Sequence, residues 1–476
     1  MYKKITSNLS KLYTSWSGNN PKKIVPIKAH GSERKYFRIT GPEVSVIGAY
    51  NNDKSENKAF LSLSRHFHNL ALPVPELYAE NQLQDIYLIQ DLGDENLFTF
   101  VNHIRDKDGF SKPVIQLYEK VIKILPKFQI LASKNLDYSI CYPRHTFDKQ
   151  SMMWDLNYFK YYFLKLAKIS FNEQSLEDDF QKFSAFLLKA DCNYFLYRDF
   201  QSRNIMIHNN KPYFIDYQGG RKGALQYDIA SLLYDSKADI PNEIRDHLLE
   251  KYIIECKKYI KIDLKSFMKY YHGYIVIRIL QALGAYGFRG FYERKAQFLQ
   301  SVPFAIKNLE NLLLSIELPL KLPELFQALT KIIRSTMLRQ LGDVNLTLTI
   351  RIQSFSYKHG IPFDNRGHGG GFVFDCRSLP NPGRMKKFAA INGNDKRVVN
   401  YLKKQKSVDK FLKNIYQIIS QVISNYQQRN FTDLMIAFGC TGGQHRSVYC
   451  SNQLSDHLKK NFKVNVETHH LELEGL

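Results

Sequence analysis

The segment from Phe195 to Tyr217 constrains this chain most, because it fixes three polar side chains between short apolar runs. Phe195-Leu196-Tyr197, Ile205-Met206-Ile207 and Tyr213-Phe214-Ile215 read as strands. His208-Asn209-Asn210-Lys211-Pro212 supplies the turn that joins the last two into a hairpin. Asp199 precedes that hairpin, Asn204 follows five residues later, and Asp216 lies twelve residues beyond Asn204. Rigid strands hold such acidic loops in fixed positions. In that setting Asp199 can accept a proton from a substrate hydroxyl. Asn204 and Asp216 can hold magnesium against nucleotide phosphates.

The stretch Tyr197-Arg198-Asp199-Phe200-Gln201-Ser202-Arg203-Asn204 is a variant of the kinase catalytic loop, with Tyr197 in place of the usual His. Four further segments accompany it in order: Gly31 to Arg38, Leu72-Pro73-Val74-Pro75, Leu88 to Asp94, and Tyr227 to Leu233. Together they resemble the aminoglycoside phosphotransferase and choline kinase superfamily over most of residues 20–330. Within it the chain is similar to the sugar 1-kinases that phosphorylate N-acetylmuramate and N-acetylglucosamine in cell-wall recycling. The resemblance implies an α+β bilobal kinase-like fold, with a small β-rich N-lobe over residues 1–95 and a helical C-lobe over 96–335. It implies ATP and Mg2+ as cofactors and the anomeric hydroxyl of an N-acetylated amino sugar as acceptor. It makes Asp199 the catalytic base, and Asn204 and Asp216 the metal ligands.

Other residues take expected places in that frame. Gly31 and Ser32 form a tight loop that covers the phosphates, with backbone N–H groups and Arg34 as donors. The strand Val44–Tyr50 has no Lys where a kinase keeps its phosphate-binding Lys, so Arg34, Lys35 and Lys54 are the candidate cations. Glu56 opens a helix with Ser55 as its N-cap; it reads equally as the Glu that pairs with that cation or as a carboxylate on the helix dipole. Gln90 ends a buried strand that runs into the interlobe hinge, where adenine is read by backbone groups. Arg203 and Gln218 are expected to contact the acceptor, with Gly219, Gly220 and Arg221 lining the same pocket. Asp228 is expected to steady the catalytic loop without touching substrate.

Composition narrows the setting. With 67 Lys+Arg against 45 Asp+Glu, the formal charge of +22 favours anionic partners without choosing among them. Hydrophobic residues make up 44%, enough for real cores. Six Cys, at 141, 192, 256, 376, 440 and 450, form no CxxC pair and no zinc spacing, which points to a reducing cytoplasm. No run approaches the roughly 20 apolar residues of a membrane span.

The pattern changes near residue 335, with a boundary expected between 336 and 344 and a separate α/β domain over 344–476. Leu346–Ile352 alternates as a strand, and Asp433–Phe438 is a buried one. Gly439 to Arg446 is a glycine-rich loop leading into a helix from Ser447. Amides at that helix start, with Cys440, Thr441, Gly442, Gly443, His445, Arg446 and Ser447, make an anion site. Cys440 and Arg446 also have the Cys-x5-Arg-Ser spacing of cysteine phosphatases.

Three longer segments decide the resemblance: Ser354–Pro362, Phe374–Pro382 and Gly439–Ser447. They resemble the C-terminal domain of the RNase adapter protein RapZ. This implies binding of a small regulatory RNA, a role in homo-oligomerisation and sensing of an amino-sugar phosphate. Basic residues such as Arg384, Lys386, Lys387, Lys403, Lys404 and Lys406 would serve RNA. The chain has no G-x4-GK[ST] motif, unlike that adapter, and carries an extra Gly367–Gly371 insertion. Two functional classes follow. One is a sugar kinase with a C-terminal domain for phosphorylated sugar or RNA. The other is a nucleotide-sensing RNA adapter without turnover.

Overall fold

The computed structural model describes residues 2–27, 34–316, 318–343, 348–362, 371–428, 431 and 433–474. The loop of Gly31 and Ser32 and the Gly367–Gly370 part of the insertion lie outside the described residues. The chain divides into two compact units. One comprises Met1–Gly284 and Phe304–Ser335, the other Ala285–Pro303 and Thr336–Leu476.

The first unit opens with a five-stranded antiparallel sheet of β1 (Lys23–Ile27), β2 (Lys35–Thr40), β3 (Ser45–Tyr50), β4 (Leu77–Asn81) and β5 (Ile86–Gln90), in the order β1-β2-β3-β5-β4. Alternation puts Phe37, Ile39, Val46, Ile86 and Leu88 in one cluster with Ile5, Leu9 and Tyr13 of the helix Tyr2–Ser17. Gly48 lets that helix approach the sheet, since a Cβ there would lie 2.9 Å from a Leu9 methyl. The helix Lys54–Asn69 follows β3. Its N-cap is Asp53, one residue earlier than the helix start and two before Ser55. The Asp53 side chain accepts the Glu56 amide at 3.0 Å, and a carboxylate there also suits the positive end of the helix.

The rest of the unit is mainly helical, as the resemblance implies. In the run Tyr158-Phe159-Lys160-Tyr161-Tyr162-Phe163, Phe159 and Phe163 are buried, while Tyr161 is exposed beneath Lys160 and Lys165. Among the helices run two small antiparallel pairs. β6 (Tyr194–Leu196) pairs with β9 (Arg221–Gly223), and β7 (Ile205–His208) with β8 (Lys211–Phe214). The second is the predicted hairpin. Asp199 and Asn204 thus lie between β6 and β7, and Asp216 between β8 and β9.

The second unit has a parallel sheet of β10 (Thr349–Ser356), β11 (Phe372–Asp375), β12 (Asp433–Cys440) and β13 (Asn465–His470), ordered β11-β12-β10-β13. Every residue of β12 is buried, as expected of an inner strand covered on both faces. Ile350, Ile352, Leu434, Ile436 and Phe438 pack with Val408, Ile419, Leu454 and Leu458 of the covering helices. The architecture is the one expected: a small antiparallel lobe, a helical lobe and a separate α/β unit.

Candidate active site and candidate anion loop

The loop between β6 and β7 is shaped from beneath by Asp228. Its carboxylate accepts the Tyr197 amide at 2.8 Å, the Arg198 amide at 3.0 Å and the Gln129 side-chain amide at 3.0 Å. Burial pushes the Asp228 carboxyl up to about 7, against the pull of those three donors. Arg198 has φ +82°, uncommon for a non-glycine residue, and a bidentate pair with Asp155 at 2.6 and 2.7 Å holds it there. Asp155 is a positioning residue that the sequence reading missed. Its signal is a lone carboxylate among Met152, Met153, Trp154 and Leu156, since a carboxylate inside an apolar helical stretch needs a buried partner.

The three polar residues converge. Asn204 donates through Nδ2 to the Asp199 carbonyl at 2.9 Å and to Asp216 Oδ2 at 3.1 Å. With Nδ2 committed, Oδ1 is the atom left to offer a cation. Asp216 has φ +68° and sits in a cleft, open to solvent yet closely surrounded by protein. That crowding, and after it the nearby Asp199 carboxylate, raise its pKa above the usual range. A carboxylate under this repulsion gains from a positive partner.

A second group joins it from the small lobe. Arg34, at the start of β2 and 2% exposed, pairs with Glu56 at 3.1 Å. Glu56 also accepts from Asn51 Nδ2 at 2.6 Å. Among the three candidate cations, Arg34 is therefore the one that meets Glu56. Gln218, read from the sequence as an acceptor contact, donates through Nε2 to Asp216 Oδ1 at 2.8 Å and to Glu56 Oε1 at 3.3 Å. The other expected acceptor contact, Arg203, is exposed and stacks on Phe98 at 4.7 Å. Gln90 accepts the Glu76 amide through Oε1 at 3.4 Å, at the end of β5.

In the second unit the glycine-rich loop follows β12, at the C-terminal end of a parallel sheet where such folds take ligands. The helix Arg446–Asn461 begins directly after it, with no side-chain cap. Gly443 has φ +62°, and a Cβ there would lie 2.9 Å from the Ser356 amide. Thr441 and Gly442 are exposed at the loop tip.

The Arg446 and His445 side chains do not simply face an anion. Arg446 is 4% exposed; Nη1 donates to the carbonyls of Arg377 at 2.9 Å and Leu379 at 3.0 Å, and Nη2 to Thr441 Oγ1 at 3.4 Å. His445 Nε2 lies 3.1 Å from the Phe388 carbonyl. Both hold neighbouring segments around the loop. Burial opposes ionisation of the Cys440 thiol. The Ser447 hydroxyl at 3.2 Å, the Ser447 and His445 amides and Arg446 outweigh it and lower its pKa. Yet Cys440 is buried, and Arg446 Nη1 is committed to two backbone carbonyls, an arrangement that serves the loop's packing and not an exposed thiolate nucleophile.

Comparison with known proteins agrees with this division. Residues 23–259 match the phosphotransferase enzyme family, and residues 348–474 match the RapZ C-terminal domain. A nucleotide-binding protein of Thermotoga neapolitana is 36% identical over 141 residues, 30% of this chain and 47% of that protein. One of Hahella chejuensis is 37% identical over 136 residues, 29% and 46% of the two chains. The chain spans less than half the length of these curated relatives. Among solved structures, a choline kinase from Streptococcus pneumoniae is 12% identical with a TM-score of 0.43, covering 64% of this chain and 99% of that one. The AMP-bound spectinomycin phosphotransferase is 14% identical with a TM-score of 0.41, covering 71% and 98%. Two separate segments of the chain are thus similar to two different families, a phosphotransferase in the first and the RapZ C-terminal domain in the second. No helix among the described residues is long and apolar enough to cross a membrane.

Proposed function

We propose that residues 1–335 form an ATP- and Mg2+-dependent sugar kinase acting on the anomeric hydroxyl of an N-acetylated amino sugar, N-acetylmuramate or N-acetylglucosamine. The convergence of Asp199, Asn204 and Asp216 carries this reading. Asp199 orients the acceptor hydroxyl and takes its proton. Asn204 Oδ1 and the Asp216 carboxylate are hard oxygen donors of the type Mg2+ prefers. Among the described residues no group of three or more His, Cys, Asp or Glu side chains could hold a metal alone, so nucleotide phosphates and water complete the shell. When bound, the ion supplies charge neutralisation on the phosphates. Arg34, fixed by Glu56, takes the part of the absent strand lysine.

Arg34→Gln tests that last role. It removes a charge-assisted contact of about 1.5–3 kcal/mol, so KM for ATP is expected to rise roughly 10- to 100-fold with a smaller change in kcat. Steady-state kinetics with varied ATP measure both.

Residues 344–476 form an anion-binding domain for a phosphorylated sugar or RNA, and support homo-oligomerisation. Domain and maker of related ligands would then share one cytoplasmic chain. A panel of amino sugars with labelled ATP, and phosphorus NMR of the product, tests the acceptor and the position. Transfer to an aminoglycoside or choline and to no sugar would refute the substrate assignment. No turnover at all, with salt-dependent RNA binding that survives Asp199→Asn, would favour the adapter reading.

A further inference from the structure

Beyond Asp199, Asn204 and Asp216, Arg221, expected only to line the acceptor pocket, offers a guanidinium whose partner is not yet accounted for. Arg221 opens β9 and is 6% exposed. Its Nε donates to the Gly219 carbonyl at 3.0 Å. Among the described residues its two Nη groups have no partner, and they are not among the fully enclosed polar atoms. A largely buried arginine usually faces a carboxylate, because burying an unpaired charge is unfavourable. Arg198, its neighbour, does so: Asp155 holds it bidentately.

The position of Arg221 relative to the base follows from Gly219. A Cβ on Gly219 would lie 4.0 Å from Asp199 Oδ2 and 3.9 Å from Arg198 Cγ. The residue whose carbonyl anchors Arg221 is thus the one that borders the Asp199 carboxylate. Burial first, and then Arg198, lower the Arg221 pKa to about 10, while Asp155 and Asp199 act in the other direction. The charges acting most on Asp216 are instead Asp199, Arg34 and Glu56. Through Gly219, Arg221 is thus tied to the Asp199 side of the site, and it is to Asp199 that the acceptor hydroxyl must come.

We propose that Arg221 is a specificity-determining residue: its free Nη groups receive an anionic substituent of the acceptor, a carboxylate, while Asp199 engages the reacting hydroxyl. This rests on the sugar-kinase reading above. Among N-acetylated amino sugars it selects those that carry an acid, and it discriminates against the neutral ones. A planar fork suits a carboxylate better than an ammonium does.

The test compares N-acetylmuramate, which has a carboxylate, with N-acetylglucosamine, which has none, using the full chain, ATP and Mg2+. Wild type is expected to favour the acid in kcat/KM by at least about tenfold, the scale of one charge-assisted hydrogen bond. In Arg221→Gln that ratio is expected to fall toward one, and in Arg221→Lys to an intermediate value. The ratio is read within each variant, so a general loss of folded protein cancels. If Arg221→Gln fails to fold, the wild-type ratio and the Lys variant decide. Equal use of both sugars by wild type would overturn the inference and leave the kinase reading intact. So would a ratio preserved in the variants, which would assign Arg221 to the transferring phosphoryl group or to structure. No transfer to either sugar would remove the kinase reading and this inference together.

Discussion

Asp199→Asn is expected to lower kcat by about 10³-fold, within the span that positioned acid–base groups contribute, while ATP affinity changes only a few-fold. The substitution is nearly isosteric. The short contacts that fix the loop do not use the Asp199 side chain, whose Oδ1 accepts only at 3.4 Å from Gln201 Nε2: Asp228 holds the amides of residues 197 and 198, and Asn204 holds the carbonyl of residue 199. What disappears is the proposed proton acceptor, together with a negative charge that acts on Asp216. Loss of turnover with retained binding separates a base from a nucleotide ligand. Single-turnover transfer and calorimetric titration with an ATP analogue measure the two quantities. An unchanged rate would remove Asp199 from the chemistry.

The second large effect concerns stability. Asp433→Ala is expected to destabilise the second unit by about 3–5 kcal/mol, the usual result of removing one partner of a buried pair. Asp433 begins β12 and is 5% exposed. It accepts from Arg351 on β10 at 2.6 Å and lies 3.5 Å from Arg294. Its loss removes this carboxylate from the Arg351 guanidinium, itself 6% exposed, where two inner strands pair. Chemical denaturation followed by circular dichroism reads the change. Replacing Arg351 and Asp433 together by apolar residues should recover much of it, because the desolvation penalty of both ions then disappears.

The hairpin of β7 and β8 and the polar residues around it were legible because their information is local. Short apolar runs, a turn and three polar residues at fixed spacing define it without reference to the rest of the chain. The helix after the glycine-rich loop was legible for the same reason. Partnerships across sequence distance were not. That Arg34, not Lys35 or Lys54, meets Glu56 depends on where β2 begins relative to the helix Lys54–Asn69. That Asp155 holds Arg198 depends on helix packing across 43 positions. Arg446 presented the plainest difference. Its motif suggested an anion clamp, but the carbonyls it binds come from residues 377 and 379, which no local pattern places beside it. Side chains of one chemical type can serve a ligand or the backbone, and only the fold decides which.

The backbone at Asp216 carries a further consequence. A residue other than glycine with φ +68°, beside a second carboxylate, is a position where the chain would relax if chemistry were not required of it. Asparagine tolerates that backbone angle at least as well and would end the repulsion. Libraries selected for heat resistance alone should therefore drift toward Asn at 216 and arrive at sturdier, inert proteins. Thermal hardiness and chemical competence pull this residue in opposite directions.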